Sequence, residues 1–172
     1  GNNAISVDGK LLNDMVKGTI FATAQTEGAK PILTGINISV SGGVLQFVAI
    51  DGYRLAIRKE KVNIETEVNF TVSGKAIGEA VKLIDEESEN VEINVGERLI
   101  CFNVSGYTFI SRLLEGEFLN YERALPKDHL QQIQVKTKEI IDIIERISLI
   151  INDNFTTPVR CIIGEEETVF SC

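Results

Sequence analysis

One order of segments recurs along the chain, and it limits the fold more than any single motif. Alternating apolar residues mark a strand at 4–7 and Asp8 is placed to cap a helix. Leu11, Leu12, Met15, Val16, Thr19 and Ile20 then repeat at helical spacing over 9–24. Three strands follow at 32–40, 44–50 and 53–59, turned by Ser41-Gly42-Gly43 and by Asp51-Gly52. The order then restarts: a strand at 68–72, Ser73 as cap, and a helix over 74–86 striped by Ala76, Ile77, Ala80, Val81 and Ile84. Strands at 91–95, 99–104 and 107–114 complete it, with turns at Gly96-Glu97 and Ser105-Gly106. A third copy opens with a strand at 132–135, Thr137 as cap and a helix over 138–151. Its broad apolar face is built from Ile140, Ile141, Ile143, Ile144, Ile147, Ile150 and Ile151, and strands at 159–163 and 168–172 follow. Unit starts lie about 60–65 residues apart, a true internal period.

This order predicts an α+β chain of repeated strand-helix-three-strand units, with helices on one face of antiparallel sheets and each helix packed under its own part of the sheet. Residues 1–128 read as a complete domain of two units, and 129–172 as an incomplete one. Half a domain buries too little surface to stand alone, so this tail is expected to lean on the first domain or on another chain.

Net charge of −8 argues against a uniformly basic coat for nucleic acid, though it leaves room for a basic strip on one face. Cys101, Cys161 and Cys172 have no metal-like spacing, and the single His129 does not complete a site with them; they read as buried, reduced thiols. No metal or cofactor is expected. No apolar run approaches the ~20 residues of a membrane span and no signal peptide is visible, so the expected compartment is the cytoplasm, with no membrane partner. The first residue is Gly1 and not Met, which points to a start inside a longer protein. Asp8, Asp14, Asp51 and Asp85 fit cap, helix-surface and turn roles, and no phosphate loop, nucleophile elbow or His-Glu-x-x-His motif occurs. No catalytic residue is assigned.

Asp51-Gly52 joins two alternating apolar runs, Phe47 to Ile50 and Tyr53 to Ile57, which predicts a tight primed hairpin turn. Tyr53, Leu55 and Ile57 then share one side of the second strand, and Arg54, Ala56 and Arg58 the other. An Arg beside an exposed apolar floor suits a peptide-binding groove.

Val48-Ala49-Ile50-Asp51-Gly52-Tyr53-Arg54-Leu55-Ala56 resembles a segment in the middle domain of the bacterial sliding clamp family, the beta subunits of DNA polymerase III. Lys30-Pro31-Ile32-Leu33-Thr34-Gly35 looks like the strand start preceding it there, and the run from Ser111 to Tyr121 like the stretch before that family's domain linker. The helix with Arg146 through Ile151 resembles the opening of its last domain. The resemblance implies the DNA-clamp fold, with 1–128 as the middle domain and 129–172 as the start of the last. It also implies a non-catalytic function in processivity: a ring of two chains encircling duplex DNA without regard to sequence. Such a ring tethers the polymerase III alpha subunit, the clamp loader and other proteins carrying the clamp-binding motif. Because the family's dimer contact joins the first domain of one chain to the last of the other, this chain is not expected to close a ring.

Two sites follow from the resemblance. Partner peptides with a Gln and hydrophobic anchors are expected at Leu33, Ile50, Gly52, Tyr53, Arg54, Leu55, Leu119, Arg123 and Ala124. Ile50 stands where the family usually has Thr, Tyr53 where it often has His, and Leu119 where Pro is common, changes that keep the groove apolar. Leu33, Ile50 and Leu55 would floor it, with Arg54 and Arg123 offering fork donors. On the helices, Lys10, Lys17, Lys75 and Lys82 lie off the buried stripes and are expected to face DNA phosphates. The rival reading is a non-catalytic interaction module of the same repeat type that never surrounds DNA; a purely structural scaffold is the third.

Overall fold

The first helix begins where its cap is placed. Asp8 ends strand β1 (Asn3–Asp8), and its Oδ1 accepts the Leu11 N–H at 2.8 Å, satisfying one of the free donors at the start of α1 (Gly9–Lys17). This helix stops at Gly18, short of the predicted residue 24. Thr19 is buried with its hydroxyl donating to the Met15 carbonyl, and the chain turns through a short 3-10 helix, Ile20–Ala22. Gly18 is the weakest helix former in this stretch, and there the helix ends.

The computed structural model describes residues 3–25, 28–85, 89–123, 125–128, 132–151, 158–164 and 167–172. The second helix stops at Val81 with Lys82 at its cap, short of the predicted Glu86, which itself lies outside them; residues 82–85 are turn and coil. The chain divides into two units, Gly1–Asn120 and Tyr121–Cys172.

In the first unit, a 3-10 turn at Pro31–Thr34 replaces the opening of the predicted strand 32–40, because Leu33 N–H bonds to the Lys30 carbonyl and the Thr34 hydroxyl to the Pro31 carbonyl. Strands β2 (Gly35–Ser41), β3 (Val44–Ile50), β4 (Leu55–Lys61) and β5 (Val68–Ser73) follow, then α2 (Gly74–Val81), β6 (Asn90–Val95), β7 (Leu99–Val104) and β8 (Tyr107–Arg112). Ser73 sits at the N-cap of α2, without a side-chain bond to it.

The two sheets have the orders β4-β3-β2-β5 and β1-β6-β7-β8, all pairs antiparallel. Each sheet thus holds three strands of one repeat and the opening strand of the other. This corrects the expectation that each unit forms its own part of the sheet: β1 pairs with β6, Ile5 opposite Ile93, and β5 pairs with β2, Ile38 opposite Phe70. A period-2 pattern fixes which face a strand buries but not which neighbour it joins.

One hydrophobic cluster joins both sheets and both helices. Leu12, Met15 and Val16 of α1 and Ile77 and Ala80 of α2 meet Ile36, Ile38, Leu45 and Phe47 of one sheet and Ile5, Ile93, Ile100 and Phe102 of the other. The sheets are also tied by a bridge between Val72 and Leu113 and by the Leu114 N–H to the Thr71 carbonyl, 2.9 Å.

In the second unit, α3 (Thr137–Ser148) includes Thr137 as its first helical residue, with Lys136 at the cap position, a shift of one residue from expectation. It is followed by β9 (Arg160–Ile163) and β10 (Thr168–Ser171), which pair antiparallel. Residues 132–135 form no strand. In the first unit each opening strand pairs into the other repeat's sheet, and the described residues of the second unit offer no such sheet to join. None of the α3 isoleucines is buried; Ile140, Ile143 and Ile147 are half-buried, while Ile141 and Ile144 are exposed and Leu149 is 86% exposed. Cys101 is half-buried, whereas Cys161 and Cys172 are exposed, which corrects the reading of all three as buried thiols; short β9 and β10 have too little cover to bury them. Among the described residues, no helix is long and apolar enough to cross a membrane.

Candidate partner and nucleic-acid surfaces

The turn between β3 and β4 is wider than a primed hairpin. Ile50 pairs with Leu55, leaving Asp51 to Arg54 as a four-residue loop closed by Asp51 N–H to the Arg54 carbonyl at 3.3 Å. Only Gly52 has positive φ, +94°; Asp51 does not. The reason is the Asp51 carboxylate. Its Oδ1 accepts the N–H groups of Tyr53 (2.9 Å) and Arg54 (3.0 Å), and its Oδ2 takes Arg54 Nε at 2.9 Å. An Asp that binds the backbone ahead of it builds an Asx-type loop in place of a two-residue turn. These contacts lower its pKa from 3.8 to about 2, the Tyr53 N–H contributing most, then the Arg54 guanidinium and the Arg54 N–H. The two-residue primed geometry appears elsewhere, at Gly42-Gly43 (φ +57° and +73°) and Ser105-Gly106 (φ +44° and +80°).

Arg54 is therefore a braced side chain. Its Nε is turned to Asp51, and its Cζ stands 5.9 Å from the ring centre of Phe21, within cation–π range. The bond to Asp51 takes one donor of the Arg54 fork, Nε. Phe21 was not singled out by the sequence: it falls beyond Gly18, in a stretch read as helix, and no periodicity marks it.

From Leu55 onward the predicted alternation holds. Ala56 faces the core opposite Ala49, whereas Leu55 and Ile57 pair with Ile50 and Val48 on the outward face of the sheet. Leu55, Ile57 and Ile50 are half-buried and Val48 is fully buried, so this end of the outer face is apolar. Toward the other end the same face carries Gln46, Ser39 and Asn69, with Asn37 Nδ2 bonded to Asn69 Oδ1 at 2.9 Å. Tyr53 belongs to the loop and not to the strand face, and it is completely exposed. Leu33 is half-buried on the turn leading into β2, and Leu119 is exposed beyond β8. Arg123 is exposed in a 3-10 turn of the second unit, and Ala124 lies outside the described residues. The structure thus brings Ile50, Gly52, Tyr53, Arg54 and Leu55 together, with Ile57 beside them on the same face.

All four candidate lysines on the helices are exposed. Lys17 at the end of α1 and Lys75 and Lys82 of the α2 region line one cleft of about 670 Å³ between the two helices; Lys10, in the first turn of α1, lies off it. Lys82 is held by Glu79 at 2.7 Å, which offsets part of its charge. Gly74 and Gly78 face this cleft one helical turn apart; Gly78, inside α2, weakens the helix by about 1 kcal/mol relative to Ala, whereas a Cβ at Gly74 would press on the Thr34 carbonyl and Thr23, both at 3.2 Å.

Residues 6–120 match the family model described as DNA polymerase III beta subunit, central domain. Over 161 residues the chain is 34% identical to a beta sliding clamp of Bacillus subtilis (strain 168), an alignment covering 92% of this chain and 42% of that protein. The crystal structure of a DNA polymerase sliding clamp from Bacillus subtilis superposes with a TM-score of 0.84 at 31% identity, over 98% of this chain and 48% of that one. A putative DNA polymerase III beta subunit from Eubacterium rectale shares the fold with a TM-score of 0.90 at 24% identity, over 97% and 46% of the two chains. The chain spans less than half the length of these relatives.

Proposed function

Since the chain belongs to the DNA polymerase III beta subunit family through its central domain, we propose that it is a piece of a sliding clamp that acts without catalysis of its own. Residues 1–128 serve as the middle domain, with Gly1–Asn120 as its compact unit, and 129–172 as the start of the last. The whole protein, as a two-chain ring, encircles duplex DNA and tethers the polymerase and other replication proteins that carry the clamp-binding motif.

The observation that carries this reading is the opposition of two surfaces on one core. On the outward sheet face, Ile50, Leu55 and Ile57 form an apolar floor ending at the loop braced by Asp51. On the helices, Lys17 and Lys75 stand exposed around one cleft. The first surface suits the hydrophobic anchors of a linear peptide, with Tyr53 and Arg54 at its rim. The second suits phosphates contacted through water and counterions, which permits sliding. An interaction module that never surrounds DNA would need the floor but not the lysines.

The test is binding of a fluorescently labelled peptide, a Gln followed by hydrophobic anchors, to this chain and to its Arg54→Ala, Leu55→Ala double variant. Weak but saturable binding that the variant loses is expected. If the full-length protein also ignores the peptide, the partner-surface assignment is wrong.

A further inference from the structure

We propose that the cleft between α1 and α2 is a binding site for a small amphipathic organic anion, an aromatic or branched apolar body carrying one carboxylate, sulfonate or phosphate. Its volume of about 670 Å³ lies within the ~300–1,000 Å³ common for small-molecule sites. Val16, Ile20 and Val81 give it apolar walls, and Gly78 leaves a gap in the α2 wall where any other residue would place a side chain. A Cβ at Gly78 would meet only the flexible end of Ile20, at 3.1 Å, so no backbone contact requires glycine there. The opening is a property of this sequence and not of the helix packing.

Charge selects the sign of the ligand. In a chain of net charge −8, Lys17 and Lys75 stand at the rim of an apolar cleft without a carboxylate partner among the described residues, while Lys82 is already paired with Glu79. A cation beside a low-dielectric wall attracts an anion more strongly than one surrounded by water. The site shares these lysines with the proposed DNA-facing surface but does not depend on that role.

The probe is 8-anilinonaphthalene-1-sulfonate, titrated into the full chain without DNA and followed by amide chemical-shift mapping. Saturable shifts centred on Val16, Ile20, Gly74 and Gly78 are expected. Affinity should fall at least ~10-fold in Gly78→Leu, which fills the gap, and likewise in the Lys17→Glu, Lys75→Glu pair. The uncharged analogue N-phenyl-1-naphthylamine should bind more weakly. Should Gly78→Leu fail to fold, the lysine pair decides, because both residues are surface-exposed. Shifts confined to the exposed apolar face of α3, equal affinity for the uncharged analogue, or indifference to the lysine pair would each overturn the proposal. Retention of the full-length ring on DNA is measured separately, so either reading can fail alone.

Discussion

Replacing Ile5 with Ala tests the exchange of opening strands. Ile5 comes from the first repeat but is buried in the second repeat's sheet, 3% exposed and opposite Ile93. The carbons removed are worth about 0.8 kcal/mol each, roughly 2.4 kcal/mol in all. An unfilled space of about 40 Å³ at ~24 cal/mol per Å³ adds about 1 kcal/mol. A loss of roughly 3.5 kcal/mol in a domain of this size lowers the thermal midpoint by about 10–15 °C. Since Ile5 shares one core with Phe47 and Ile38 of the other sheet, both sheets should weaken together. Native-state hydrogen exchange reads this directly: slowly exchanging amides of β2–β3 and of β6–β7 should lose the same free energy of protection. If β6–β7 loses protection while β2–β3 keeps its own, the two repeats are separate folding units and the shared-core reasoning is wrong.

Asp51 has a lowered pKa, so its loop contacts are fully present above about 3.8 and are lost as pH falls through about 2; a carboxyl titration followed by NMR should show that midpoint, and Asp51→Asn should remove the transition. Gly35→Ala should destabilise the first unit by about 1–3 kcal/mol in urea unfolding, because its Cβ would stand 2.6 Å from the Val72 carbonyl oxygen. Timed alkylation with mass spectrometry should label Cys161 and Cys172 before Cys101, following their exposure; equal rates would contradict it. Light scattering of this chain should report a single-chain mass, and the mass of a stable two-chain ring would refute the ring geometry proposed above.

Much of the fold is legible where a signal is local. Asp8 caps α1 because a short carboxylate at that position reaches the third N–H, and the Leu12, Met15, Val16 stripe is buried because its spacing allows nothing else. The alternation of Leu55, Ala56 and Ile57 likewise foretells which side meets the core. What the pattern does not carry is partnership: Ile5 and Val7 alternate in the same way whether they join their own repeat or the next. Asp51-Gly52 misled because a side chain outcompeted the backbone geometry its residue types suggest, and Gly18 and Pro31 each cut an element shorter than its apolar run. At the candidate sites, the apolar floor and three of the four lysines converge. Phe21 and the gap at Gly78 needed the tertiary arrangement, since a residue's neighbour across the fold leaves no trace in local periodicity.

The exchange of opening strands also orders events during synthesis. As the chain leaves the ribosome from its N-terminus, residues 35–73 can close the first sheet as soon as β5 emerges. β1, made before them, has no partner until Asn90–Val95 appears, and Asn3 must wait for Val95. The opening strand of this unit is thus paired only after the four strands that follow it have been made, its edge open to other chains throughout that interval. Its brevity, and the polar Ser6 and Asp8 interleaved with Ile5 and Val7, limit what such a strand can stick to while it waits.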